Sequence, residues 1–185
     1  MWTYLFVLLF LEGTCGVSVN RSSLGSETRC SNGYTRFEDS CYLLNNEVAS
    51  WIEAYQICLT FNACLVEVKS SQEYTFLQGY LNEHGQSKGK SIATFLSRSS
   101  YGNSNNMRYN SFPGYWMGGN SMETPGNWVW MKSKEKVDFS IIGNPFINGT
   151  GSGCLYFDSV NFHETRTKEC HTKMYSVCEK APTME

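Results

Sequence analysis

The spacing of apolar positions along the chain predicts two helices. The first apolar stripe with helical spacing consists of Trp51, Ala54, Tyr55 and Cys58. Ser50 precedes this stripe and Glu53 follows three residues later, which is the capping-box signature of a helix start. The second stripe consists of Phe76, Leu77, Tyr80 and Leu81. Ser70 and Glu73 repeat the capping-box spacing before it, and Gly85 follows as a suitable helix stop.

Short apolar or alternating segments outside the helices predict β-strands. Cys30 to Cys41 has aromatic residues between turn residues and predicts a hairpin. Further strands are predicted within 65–68, 115–120, 127–133, 154–157 and 175–178. Trp128 and Trp130 share one face of their strand because successive side chains alternate. The predicted fold class is α+β, with two helices on a small twisted antiparallel sheet and a long loop region.

Residues 97–114 interrupt the periodicity and contain no acidic residue. Serine, asparagine, glycine and tyrosine dominate this stretch, as they do in antibody paratopes, where tyrosines act as rigid anchors. We expect Tyr101, Tyr109 and Phe112 to stack on the apolar face of a sugar or on a protein patch. The alternative is a flexible surface loop with no partner.

The first sixteen residues have the pattern of a signal peptide. Residues 4–11 form an apolar run too short to span a bilayer, and small residues allow cleavage after Gly16. The leader lacks lysine and arginine, so an uncleaved anchor is the alternative. We expect a secreted, extracellular chain without a membrane span, with one domain at 30–180 between tails at 17–29 and 181–185.

Charge and motifs exclude several functional classes. The 15 lysines and arginines nearly balance 17 acidic residues and form no basic cluster, which argues against a nucleic-acid partner. We find no G-x-S-x-G motif and no P-loop, and His84, His163 and His171 lack metal-ligand spacing. We therefore expect surface histidines, no cofactor and no enzyme activity. Asn20 and Asn148 are N-glycosylation acceptors in a secreted chain.

Cysteines of a secreted chain are expected to pair, because the extracellular space is oxidising. Cleavage after Gly16 removes Cys15 and leaves seven cysteines, which is an odd number. Six paired cysteines allow fifteen arrangements, so the sequence alone does not give their connectivity.

The order of cysteine and tryptophan motifs from Cys30 to Lys180 resembles the C-type lectin-like domain. Cys58 ends an S-W-x-x-A-x-x-x-C motif, and residues 116–119 (WMGG) stand where this family has W-I-G-L. Residues 128–130 match the family's W-x-W motif, and residues 178–180 match its final cysteine with an acidic-lysine pair. The resemblance implies a C-type lectin-like fold over nearly the whole mature chain.

The same resemblance implies three disulfides and one cysteine without a partner. The implied pairs are Cys30–Cys41, Cys58–Cys178 and Cys154–Cys170. Cys64 is then unpaired. It is expected to be a buried free thiol, the site of an interchain disulfide in a homodimer, or a group that exchanges with Cys58.

The calcium ligands of the sugar-binding members are missing from this chain. Those members use a Glu-Pro-Asn or Gln-Pro-Asp loop and a Trp-Asn-Asp before the penultimate cysteine. Here the loop reads Gly143-Asn144-Pro145-Phe146, and residues 165–167 read Thr-Arg-Thr. Calcium requires six to eight oxygen ligands, whereas Asn144 offers one amide oxygen and Arg166 adds a positive charge. We expect a degenerate site without calcium.

The resemblance implies a secreted lectin-like recognition protein. We expect a glycan or glycoprotein ligand at Asn144, Tyr101, Tyr109 and Phe112, bound without the family's calcium site. The alternative is a protein-binding or extracellular-matrix or mineral-associated structural module that has lost sugar binding.

Overall fold

The computed structural model describes residues 15, 28–85, 114–143, 152–159, 161 and 163–184. These residues form three helices and ten strands. In chain order the elements are β1 (Thr28–Arg29), β2 (Thr35–Phe37), β3 (Ser40–Ala49), α1 (Trp51–Thr60), β4 (Cys64–Leu65), α2 (Ser71–His84), β5 (Tyr115–Asn120), β6 (Val129–Trp130), α3 (Phe139–Ile142), β7 (Cys154–Asp158), β8 (Glu164–Lys168), β9 (Met174–Lys180) and β10 (Thr183–Met184). No helix within these ranges is long and apolar enough to cross a membrane.

Strand β9 lies at the centre of an eight-stranded sheet. The strand order is β2-β3-β9-β5-β7-β8, with β4 also paired to β9 and β6 to β5. The pairings are antiparallel except for β5 with β9, where Tyr115 lies beside Tyr175 and Trp116 beside Ser176 in parallel register. The α+β fold class is confirmed, but this pairing makes the sheet mixed. The small pair β1–β10 brings together the two ends of the described chain.

Helix α1 begins at the predicted capping box and is fixed to the sheet by two indoles. The Glu53 carboxylate accepts the backbone N–H of Ser50 at 2.7 Å. The Trp51 indole donates to the Met117 carbonyl at 2.7 Å, and the Trp116 indole donates to the Ala49 carbonyl at 3.0 Å. Each buried ring therefore satisfies its polar atom, Trp51 between α1 and β5 and Trp116 between β5 and the end of β3.

Helix α2 begins and ends where the sequence predicts. The Ser70 hydroxyl accepts the backbone N–H of Glu73 at 3.1 Å, and Gly85 follows the last helical residue, His84. The backbone φ of Gly85 is −67°, so left-handed geometry is not the reason for glycine here. A Cβ atom at this position would collide with the Leu81 carbonyl oxygen and lie 2.9 Å from the Tyr115 hydroxyl, which leaves no room for a side chain.

Four disulfides join the described cysteines. The pairs Cys30–Cys41, Cys58–Cys178 and Cys154–Cys170 are those implied by the resemblance. The fourth pair is Cys15–Cys64. The prediction that Cys64 is unpaired is therefore wrong for a chain that keeps residue 15. The two Cα atoms lie 5.4 Å apart, a normal separation for a disulfide, and the paired Cys64 has no thiol for a homodimer.

His163 corrects the expectation that the histidines lie at the surface. His84 and His171 are exposed, but His163 is only 1% exposed and packs edge-on against the Tyr115 ring. Its position in the turn between β7 and β8 directs the ring inward, with a backbone φ of 57°. Burial lowers the pKa of His163, and the nearby Asp158 carboxylate opposes this effect only in part.

The Cys15–Cys64 disulfide predicts a defined cross-linked peptide. Non-reducing digestion of a chain that keeps residue 15 should give a peptide that links these cysteines, detectable by mass spectrometry. The loop closed by this bond stabilises the fold by roughly 4 kcal/mol in the chain-entropy model, so Cys64→Ser should lower the melting temperature. As a control, Cys64→Ser should free one thiol for alkylation. Alkylation of Cys64 in the native chain would contradict the pairing.

Burial of His163 predicts that acid destabilises the fold. The unfolded chain takes up a proton near pH 6.5, whereas the folded imidazole does so only at a lower pH. The stability from His163 is therefore present above about pH 6.5 and lost as the pH falls towards the folded pKa. Asparagine tolerates the positive φ at this position. The substitution His163→Asn should therefore reduce the fall in melting temperature between pH 7.5 and 5. His171→Asn is the matched control, and equal slopes in wild type and His163→Asn would refute the prediction.

Candidate functional site

The β7–β8 hairpin lies where the family's calcium-binding Trp-Asn-Asp strand is expected. Leu155 and Phe157 of β7 are fully buried in the main core. Tyr156 and Asp158 alternate with them and point to the other face of the sheet. In the antiparallel register, Tyr156 lies opposite Arg166, and Asp158 lies opposite Glu164. The hairpin thus collects one cation and two carboxylates towards its turn.

Arg166 is held by both carboxylates of this hairpin. Its guanidinium lies 2.9 Å from the Asp158 carboxylate and 3.8 Å from that of Glu164. The amide of Asn161 donates to the same Asp158 oxygen at 2.6 Å. Side-chain exposure is 36% for Arg166 and 14% for Asp158, so the pair is partly shielded from water. Arg166 belongs to the segment 165–167, where the resemblance implies the Trp-Asn-Asp of sugar-binding members.

The hairpin is attached to α2 through a polar contact. The Tyr74 hydroxyl accepts the backbone N–H of Thr165 at 3.0 Å. The Gln78 amide donates to the His163 carbonyl at 3.3 Å. The Tyr74 ring also stacks on Phe157, with ring centroids 6.0 Å apart. Helix α2 therefore fixes the hairpin from its inner side and leaves Arg166 on the outer side.

Two hydrogen bonds join Ser121, which follows β5, to Gly153, which precedes β7. Ser121 donates its N–H to the Gly153 carbonyl at 3.0 Å, and the Gly153 N–H returns to the Ser121 hydroxyl at 3.1 Å. The buried Glu67 carboxylate accepts the backbone N–H groups of Lys132 and Ser133 at 2.6 and 3.0 Å. The turn at Lys132 and Ser133 is thus connected to the segment between β4 and α2.

The predicted ligand-binding residues lie outside the described residues. This holds for Asn144, Tyr101, Tyr109 and Phe112, and also for the glycosylation acceptors Asn20 and Asn148. The end of the 97–114 stretch is described. Gly114 accepts the backbone N–H of Tyr175 at 3.1 Å, and a Cβ at Gly114 would collide with Tyr156. Gly114 therefore lies beside β9 and beside β7 of the Arg166 hairpin.

A second pair of carboxylates, missed by sequence reasoning, lies between α2 and β9. Glu73 and Glu179 are 7% and 8% exposed. Glu73 accepts the Tyr42 hydroxyl at 2.7 Å, and Glu179 accepts the Ser40 hydroxyl at 2.7 Å. Burial raises the pKa of Glu73, and repulsion from Glu179 adds to this effect. The capping motif and the terminal acidic-lysine pair mark these residues in the sequence, but not their proximity.

Neither pair of carboxylates fits a calcium ion. No group of three or more histidine, cysteine or acidic side chains that could hold a metal occurs among the residues that the structure describes. Asp158 and Glu164 already contact the Arg166 guanidinium, which would repel a divalent cation. The donor set on the hairpin thus disagrees with the calcium site of sugar-binding family members.

Comparison with known proteins agrees with the fold. The model of the lectin C-type domain matches residues 47–180. The perlucin-like protein of Mytilus galloprovincialis is 22% identical over 178 residues, covering 95% of this chain and 92% of that protein. C-type lectin domain family 4 member M of Nomascus concolor is 26% identical over 161 residues, covering 82% of this chain. The match spans only 31% of that longer relative.

A solved structure shows the same architecture. The structure of SPL-1 in complex with GlcNAc superposes with a TM-score of 0.59 at 23% identity, covering 81% of this chain and 93% of that one. This likeness concerns the fold. Since the family model matches more than half of the residues, the chain belongs to the lectin C-type domain family.

Proposed function

We propose that this protein is an extracellular recognition protein that binds carbohydrate without calcium at the family's usual site. The observation that carries the proposal is the ion pair of Arg166 with Asp158, 2.9 Å apart on the β7–β8 hairpin. The guanidinium supplies the positive charge that a metal would otherwise supply. Membership in the lectin C-type domain family supports the carbohydrate class, and the SPL-1 relative of this fold is solved with GlcNAc.

The chemistry of the hairpin suits a neutral sugar. Arginine presents five N–H donors in a rigid fork, which can donate to neighbouring hydroxyl oxygens. The carboxylates of Asp158 and Glu164, beside Arg166, can accept hydrogen bonds from sugar hydroxyls. The carboxylates offset the charge of Arg166, so no net charge on the ligand is required. Tyr156 adds a partly buried ring next to Arg166, in contact with Trp116.

The second candidate function is a protein-binding or matrix-associated role. It is favoured by the same ion pair, because side chains that satisfy one another are less available to a sugar. A protein ligand would bind over a larger surface and would not be displaced by free sugar. Competition by monosaccharides separates the two candidates.

A glycan array with the oxidised protein tests the proposal. We expect glycan binding that differs less than twofold between calcium and EDTA, because no metal takes part. Free sugar should compete for the bound glycan. Loss of binding in EDTA would show that a calcium site exists, and absence of binding in both conditions would favour the protein-binding role.

Substitution of Arg166 should weaken glycan binding. Arg166→Ala removes the donor fork, and we expect about a tenfold loss of affinity, equivalent to about 1.4 kcal/mol, measured on the best glycan of the array. Arg166→Lys keeps the charge without the fork and should give a smaller loss. Lys168→Ala is the matched control, since it removes an exposed cation from the same strand. Equal affinity of Arg166→Ala and wild type would exclude Arg166 from the site.

The melting temperature of each variant separates binding from folding. Arg166→Ala leaves Asp158 without its cation, so a modest loss of stability is expected. Arg166→Lys retains a cation near Asp158 and should fold like wild type. Weakened binding by a fully folded Arg166→Lys would therefore report on the donor geometry.

A further inference from the structure

An open groove of about 910 Å³ lies between α2 and β2. It is distinct from the Arg166 hairpin. Tyr74 and Gln78 of α2 contact the hairpin, whereas Phe76, Gly79 and Glu83 line the groove from the other side of the helix. The helix therefore separates two surfaces, and the function proposed above does not use the groove.

The groove has an apolar wall of stacked aromatic rings. Phe37 of β2 stacks on Phe76 with ring centroids 4.4 Å apart, and Phe76 stacks on Tyr80 at 5.7 Å. Phe37 and Phe76 are only partly buried, so apolar surface remains open to solvent. Stacked rings are rigid and lose little entropy when they bind a ligand. This wall suits an aliphatic chain.

Two carboxylates lie on the rim, together with the His84 imidazole, which also lines the groove and lies 3.6 Å from the Glu83 carboxylate. Glu38 and Glu83 line the groove, and both are exposed. In the described part of the chain, no lysine or arginine forms an ion pair with either carboxylate. Arg36 alternates to the other face of β2, where its guanidinium donates to the Thr28 and Glu38 carbonyls. The groove therefore attracts positive charge.

Gly79 keeps the groove open in the middle of α2. A glycine inside a helix costs about 1 kcal/mol relative to alanine. At Gly79 this cost is not explained by crowding, because a Cβ atom would meet nothing within 4 Å. A larger side chain here would instead extend into the groove, which Gly79 lines.

We infer that this groove binds a lysine- or arginine-bearing segment of another protein. The aliphatic stem of a basic side chain packs on Phe37, Phe76 and Tyr80, while its charged end reaches the carboxylates of the rim. Lysine and arginine bind in this divided way because their stems are apolar and their ends are charged. Opposite charges on the two partners provide specificity and speed the association.

Binding of simple basic peptides tests this inference. We use the full oxidised chain with fluorescent octalysine and octaarginine, and octaglutamate as the negative probe, and measure anisotropy at 50 and 150 mM salt. We expect binding of the basic probes, weakened by salt. No binding of either basic probe at 50 mM salt, or equal binding of octaglutamate, would overturn the inference.

Variants with equal net charge distinguish the groove from general attraction. Glu38→Lys with Glu83→Lys should lower the affinity at least tenfold. The matched control, Glu123→Lys with Glu169→Lys, changes exposed acids elsewhere by the same net charge and should lower it less than threefold. An equal loss in both double variants would overturn the inference.

Filling the groove without a change of charge gives an independent test. Gly79→Leu should reduce peptide binding at least fivefold and keep the helix, because leucine is a strong helix former. Gly79→Ala should raise the melting temperature and leave binding within twofold. Unchanged binding by Gly79→Leu would refute the groove as the site. Both variants should leave glycan-array binding unchanged, so failure of this inference is separate from failure of the proposed function.

Discussion

The fold depends on the pairing of β9 with the strands around it. β9 bonds to β3, β4 and β5, and its Cys178 is joined to Cys58 of α1. This disulfide closes a sequence separation of 120 residues and contributes roughly 5 kcal/mol in the chain-entropy model. Because β9 comes late in the chain, it brings the C-terminal segment against the first helix and the first long strand. The β7–β8 hairpin continues the sheet on one side of β9 through β5, and β2, which lines the groove, continues it on the other side through β3.

Charge compensation within the domain decides what its surfaces can bind. The two carboxylates of the hairpin contact Arg166. The carboxylates of Glu73 and Glu179 accept hydrogen bonds from the hydroxyls of Tyr42 and Ser40. At the groove, the Glu83 carboxylate lies 3.6 Å from the His84 imidazole, and neither Glu38 nor Glu83 forms an ion pair with a lysine or arginine within the described ranges. Arg166 therefore offsets part of the negative charge on the hairpin, whereas no lysine or arginine of the described ranges does so at the groove.

Local patterns predicted the helices well because their signals are short in sequence. The capping residues Ser50 and Ser70 and the stop at Gly85 lie where α1 and α2 begin and end. The contribution of Tyr115 to the crowding at Gly85 was not predictable, because Tyr115 lies thirty residues later. The burial of His163 was missed for the same reason, since its neighbour Tyr115 belongs to another strand.

The sequence by itself determined the family, the α+β class and the two long helices, because each depends on residue type and short spacing. The tertiary structure decided the partner of Cys64, the parallel pairing of β5 with β9, and the contact of Arg166 with Asp158. These features join residues that are distant in sequence or separated by a turn. Only the folded backbone fixes such distances. It places Arg166 beside Asp158, at the centre of the candidate site.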